Sequence, residues 1–165
     1  MKLGKGVEWA AHACAVLALL PAGAALSRDA LAEYLGVPAP YLAKQLQALS
    51  RAGIVNTQRG VSGGYRLARA PGDISLWDIT AAVEGTAPGF RCTEIRKNGP
   101  CGASPAECPR PCDIAAAFLK AERAYREVLG KVSLTHVVDG ATAVATDLRK
   151  QNITAWLTTH ATGMN

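Results

Sequence analysis

Ser27-Arg-Asp-Ala-Leu-Ala-Glu-Tyr-Leu-Gly36, followed by Val37-Pro-Ala-Pro-Tyr41-Leu-Ala-Lys-Gln-Leu-Gln-Ala-Leu49, decides how this chain is read. Ser27 is a natural N-cap for a short helix over Arg28–Leu35, and Gly36 a natural C-terminal stop. Pro40 suits the first turn of a second helix that ends near Gly53. Within it Leu42, Leu46 and Leu49 recur at i, i+4 and i+7, which predicts a buried stripe. Tyr41, Lys44, Gln45 and Gln47 then lie on or near the open face. Two short helices joined by a tight Gly-Val-Pro turn predict a helix-turn-helix. Beyond it, Ile54–Arg59 and Tyr65–Arg69 read as strands around Gly60-Val61-Ser62-Gly63-Gly64, a β-hairpin with a glycine-rich tip. The expected fold is mainly α with a small hairpin wing.

Charge points the same way. Net charge is +5 over 165 residues. Residues 1–72 hold Lys2, Lys5, Arg28, Lys44, Arg51, Arg59, Arg66 and Arg69 against only Glu8, Asp29 and Glu33. The remaining residues balance, so the whole excess sits in the first part, which favours a polyanionic partner there. A helix fits the major groove, where base edges differ in their donors and acceptors. Gln45 and Gln47 are candidates for adenine, and Lys44 for guanine or phosphate. Arg59, Gly60 and Ser62 at the wing tip are candidates for the backbone or a minor groove. An aromatic content of 5% argues against a stacking platform for single strands. No C-x-x-C beside a βαβ pattern, no H-E-x-x-H and no phosphate loop is present, so neither an enzyme nor a small-molecule substrate is expected.

Upstream, Val7–Leu20 predicts a first helix stopping at Pro21. Lys2 and Lys5 before Ala10–Leu20 imitate a secretory signal, but Glu8 and His12 interrupt the apolar run and the following helices need something to pack on. No apolar stretch approaches the ~20 residues that span a bilayer. A cytoplasmic protein without a membrane partner is expected. Downstream, Ser75 and Asp78 form a capping box for Leu76–Glu84, which Gly85 ends. Residues 86–112 hold five prolines and four cysteines, and read as a long loop of the functional kind. Asp113 is a candidate cap for a long helix from Ile114 to about Leu129, whose Ile114, Phe118, Leu119, Tyr125, Val128 and Leu129 suit packing on a partner helix. A further helix is expected at Ala143–Trp156. The expected organisation is residues 1–85 for DNA binding, 86–112 as cysteine loop, 113–130 as dimerisation helix and 131–165 as C-terminal segment.

Cys92, Cys101, Cys108 and Cys112 are separated by eight, six and three residues. In a cytoplasmic chain such a cluster reads as metal binding or redox chemistry. Soft thiolates select zinc, copper(I) or iron–sulfur clusters. Structural zinc sites show paired C-x₂₋₄-C knuckles, which only Cys108–Cys112 approaches. Cys14, among Ala and Leu, is expected to be a buried apolar residue.

Tyr41-Leu42-x-Lys44-x-Leu46-x-x-Leu49-x-x-Ala52-Gly53-Ile54-Val55, Arg59-Gly60-x-x-Gly63-Gly64-Tyr65-x-Leu67-Ala68-Arg69 and Ile74-x-Leu76-x-Asp78-Ile79-x-x-Ala82-Val83-Glu84-Gly85 resemble the Rrf2-type (IscR/NsrR) winged-helix transcriptional regulators. The likeness spans about residues 1–130 and includes Cys92 and Cys112 before the long helix. It departs at Pro40, where a serine that contacts DNA is common. The resemblance implies a homodimer on double-stranded DNA, with the long helix as interface and an iron–sulfur cluster as sensor. The family's first and last loop ligands match Cys92 and Cys112, while a middle ligand could be either Cys101 or Cys108. Val7-Glu8-Trp9-Ala10-x-His12 and Cys92-Thr93-Glu94-Ile95-Arg96 further resemble the redox-sensing RsrR type. That implies a [2Fe–2S] cluster held by Glu8 and His12 of one subunit and Cys92 and Cys112 of the other. Trp9 is the expected redox relay: a change of cluster state shifts the first helix and repositions the recognition helices, so that target promoters are repressed or released. A [4Fe–4S] cluster or zinc is the alternative cofactor, and a thiol- or zinc-based regulator without a cluster the alternative function. Read without the resemblance, Glu8 and His12 are a local i, i+4 pair on one helix face.

Overall fold

The computed structural model describes residues 3–58, 60 and 63–163. The helix-turn-helix segment begins as its capping signals predict. Helix α2 (Arg28–Leu35) begins where the Ser27 hydroxyl accepts the Ala30 N–H, and it ends at Gly36 with φ 63°. Helix α3 (Ala39–Arg51) carries Pro40 in its first turn. Its Leu42, Leu46 and Leu49 are fully buried. Each such leucine contributes about 1.5–3 kcal/mol of burial. Helix α1 (Lys5–Leu17) supplies Ala10, Ala13, Cys14, Val16 and Leu17 to the same core, which also takes in Leu31, Ile54, Ile74 and Ile79. Small alanines on α1 let α2 and α3 approach closely.

Among the described residues the first wing strand begins one residue later than expected, and the second ends two residues earlier. Strands β1 (Val55–Gln58) and β2 (Gly64–Leu67) pair antiparallel, with Val55 opposite Leu67 and Gln58 opposite Gly64. Leu26 exchanges both backbone hydrogen bonds with Tyr65, and Ala25 does the same with Thr162. Residues 25 and 26 thus thread between the wing and the C-terminus. Gly64 is required there, since a Cβ would sit 2.7 Å from the Leu26 carbonyl oxygen.

Helix α4 (Leu76–Glu84) has the expected capping box: the Ser75 hydroxyl accepts the Asp78 N–H and the Asp78 carboxylate accepts the Ser75 N–H. Helix α5 (Asp113–Gly130) corrects one detail. Asp113 lies inside the first turn, and the cap is the Cys112 sulfur, which accepts the Ala115 N–H at 3.3 Å. The C-terminal reading needs a larger correction. In place of one helix at Ala143–Trp156 there are two, α6 (Leu134–Val144) and α7 (Asp147–His160). Ser133 and Thr146 cap them through side chains that accept the His136 and Arg149 N–H groups. Leu134 and Leu157 enter the common core, and Trp156 packs edge-on against Tyr34 of α2. Among the described residues no helix is long and apolar enough to cross a membrane.

Candidate functional site

Two regions carry the chemistry. On α3, Tyr41, Lys44 and Gln47 are exposed. Neither Lys44 nor Gln47 has a hydrogen-bond or ion-pair partner among the described residues, so both are free to meet a ligand. Gln45 behaves differently. It is half-buried, and its amide lies over Gly6 of α1: a Cβ at Gly6 would come within 2.9 Å of Gln45 Cδ. One turn away, Trp9 of α1 meets Tyr41 edge-on, with ring centroids 6.4 Å apart. Gly6 and Trp9 therefore seat α1 on the exposed end of α3. At the wing, Gly60 adopts φ 109°, and its carbonyl accepts the Gly63 N–H. Arg59 and Ser62 lie outside the described residues.

The second region is the loop from Gly85 to Cys112. Its first part is tied to α5. Gly89 N–H donates to Glu122, Thr86 carbonyl accepts from Arg126, and Phe90 stacks on Phe118 with centroids 4.6 Å apart. Arg126 is in turn paired with Glu122 and lies over the Trp77 ring at 5.0 Å. Past this anchor the chain forms two 3₁₀ turns, Ile95–Lys97 and Pro105–Glu107. The proline-rich composition masked both, since neither lasts long enough to show periodicity.

All five cysteines are free thiols. Cys14 is fully buried in α1, where burial pushes its thiol up to about 12. In the loop Cys92 and Cys101 are exposed, and Cys108 and Cys112 half-buried. Two of the four are distinguished. Cys92 Sγ accepts the Glu94 N–H at 3.4 Å, and Cys112 Sγ accepts the Ala115 N–H at 3.3 Å. Cys101 and Cys108 have no such donor among the described residues. Backbone N–H groups directed at sulfur offset negative charge gathering there, as hydrogen-bond donors do at metal-bound thiolates. Glu94 Oε2 pairs with Arg96, which holds its carboxyl below the usual carboxylate range.

On α1, Glu8 and His12 share one exposed face and have no partner in their own chain among the described residues. A single chain does not assemble the expected ligands: among the described residues no three of its His, Cys, Asp or Glu side chains are grouped to hold a metal ion. The donor types, soft sulfurs with a carboxylate and an imidazole, are ones an iron–sulfur group accepts. Two N–H-supported sulfurs stand at the two ends of one loop, and a carboxylate and an imidazole without partners among the described residues stand on α1. Sequence reasoning missed the Cys112 cap and Arg96. A cysteine directly before a helix and an arginine inside a cysteine loop were the available signals.

Comparison with known proteins agrees with this architecture. Residues 3–140 match the Rrf2 family model, described as iron-dependent transcriptional regulator. The inferred HTH-type transcriptional regulator slr0846 of Synechocystis is 48% identical over 90 residues, which span 54% of this chain and 61% of that relative. Among solved structures, T. potens IscR superposes with TM-score 0.67 at 25% identity, covering 89% of this chain and 93% of that one. Staphylococcus aureus CymR in its oxidised form superposes with TM-score 0.62 at 22% identity, covering 84% and 96%.

Proposed function

Since this chain belongs to the Rrf2 family of transcriptional regulators, we propose that it is a homodimeric operator-binding protein whose DNA affinity answers to an iron–sulfur cluster shared between its subunits. The observation that carries this reading is the seat of α1 on α3. The helix that bears Glu8 and His12 rests, through Gly6 and Trp9, on Gln45 and Tyr41 of the recognition helix. Any displacement of α1 therefore changes how α3 is presented to a groove.

The ligands proposed are Cys92 and Cys112 of one subunit with Glu8 and His12 of the other. The paired N–H support at Cys92 and Cys112 favours them over Cys101 and Cys108. When bound, a [2Fe–2S] cluster supplies a one-electron redox centre, and ligation by imidazole and carboxylate in place of thiolates raises its potential. The chain does the rest. Lys44, Gln47 and Tyr41 face the major groove, Gly60 with Arg59 and Ser62 forms the wing contact, and α5 pairs with its copy. Trp9 is proposed as the relay, because it is the bulky group that links the ligand-bearing helix to Tyr41. Dimer-shared ligands couple the redox state to half-site spacing. The site serves binding and sensing, with no catalytic group assigned.

The test is anaerobic purification with a visible spectrum and iron and sulfide content. Brown or pink protein is expected, and Glu8→Ala and His12→Ala are each expected to alter the spectrum or lose the chromophore. Colourless, iron-free protein overturns the cluster, and an unchanged spectrum in both variants overturns the mixed ligand set. A second reading, thiol- or zinc-based sensing, rests on the exposure of Cys92 and Cys101 and the knuckle-like spacing of Cys108 and Cys112. Zinc content in colourless protein would favour it.

A further inference from the structure

Arg96 occupies an unusual place. It is a half-buried arginine in a loop whose other side chains are mostly exposed. Its Nε donates to Glu94 Oε2 at 3.0 Å, and its Nη2 donates to the Arg110 carbonyl oxygen at 2.5 Å, fourteen residues along. Its own carbonyl accepts the Ala103 N–H at 2.9 Å. One residue thus binds three parts of the loop. Arg110 precedes Cys112 by two positions, and Glu94 follows Cys92 by two.

Glu94 is equally constrained. With φ 52° it is the only non-glycine residue in the left-handed region among those described. Such a conformation is disfavoured for a residue with a Cβ and persists only where surroundings enforce it. The turn it makes is what brings its N–H onto Cys92 Sγ, while its Oε1 lies 3.6 Å from the same sulfur. A continuous path therefore runs from the first cysteine through Glu94 and Arg96 to the backbone beside the last.

We propose that Glu94 and Arg96 are the positioning pair of the cysteine centre, clamping the Cys92 arm to the Cys112 arm and setting a matched charge pair beside the sulfurs. An arginine is suited to this because its planar fork serves the carboxylate and the carbonyl at once, which a lysine ammonium does not. The bond to Glu94 holds the Arg96 guanidinium above its ordinary range. Fixed charge near a redox centre moves its potential, a positive charge favouring the reduced state. Removing one member of a matched pair exposes the charge of the other.

The tuning half of this proposal rests on the cluster reading above, whereas the clamping half does not. In loaded protein, Arg96→Ala is expected to lower the reduction potential, because Glu94 is left unmatched. Glu94→Gln is expected to raise it, because Arg96 is left unmatched. Arg96→Lys restores a potential near wild type while the cluster is lost faster on exposure to oxygen. Shifts of the same sign in Arg96→Ala and Glu94→Gln, or none, overturn the tuning role. If wild-type protein is colourless, the cluster reading has failed, and amide hydrogen exchange in metal-free protein decides the clamp. There Arg96→Ala is expected to speed exchange of residues 96–112 roughly tenfold, the loss of one charge-assisted hydrogen bond. Unchanged exchange overturns the clamp as well.

Discussion

Cys14 and Cys112 are the same residue type put to opposite uses. Cys14 is fully buried in the common core with Ala10, Ala13 and Leu17. Cys112 sits at a helix start with its sulfur turned to a backbone N–H. The sequence distinguished them by context, since an apolar helix surrounds one and a proline-rich loop the other. A prediction follows for Cys14. Its folded pKa of about 12 stands above the ordinary thiol value of 9.0. Between those pH values the unfolded chain releases a proton that the folded chain keeps. Its contribution to stability is therefore intact below pH 9 and falls by roughly 1.4 kcal/mol per unit above it. Urea unfolding at pH 8 and pH 10 should show a steeper loss in wild type than in Cys14→Ala, and native Cys14 should resist alkylation at pH 8 while Cys101 reacts. Equal losses in the two proteins would show that Cys14 is not sealed.

At the scale of elements, α2 and α4 were legible because their caps are local: Ser27 with Gly36, and Ser75 with Asp78. The boundary between α6 and α7 was not, because Ser133 and Thr146 caps lie in a stretch with little apolar periodicity. The α1–α3 contact was equally hidden. Gln45 read as an open-face residue from helical phase alone, yet Gly6 gives its amide a place to rest. Gly6→Ala tests that contact. Gly6 stands in the first turn of α1, where alanine is at least as good a helix former as glycine, so thermal stability should hold. The new Cβ must displace the Gln45 amide from its place over α1. Affinity for a duplex selected by the wild-type protein from a random pool should fall, by roughly tenfold for a loss of about 1.4 kcal/mol. Equal affinity in a mobility-shift titration would detach α1 from recognition.

For the whole molecule the question is what covers α5. Ile114, Phe118 and Val128 are 67%, 53% and 63% exposed on an 18-residue helix. Apolar side chains so placed along a helix of about 27 Å mark an interaction surface. Pairing with a second copy is the arrangement proposed above. Ile114→Glu with Val128→Glu should leave helix content unchanged while sedimentation reports a monomer. Operator affinity should fall with it, because two half-sites then bind independently. A dimer that survives both charges would place the interface elsewhere.

The helix-turn-helix, the wing and the basic character of the first 72 residues could be read from residues alone. Each rests on short-range physics: caps, turn glycines, and apolar spacing within one element. Whether Gln45 is free, what caps α5, and how Glu94 and Arg96 join the ends of the cysteine loop depended on the tertiary structure. Those contacts form between residues far apart along the chain or across a loop without periodicity, where only three-dimensional packing decides which side chains meet.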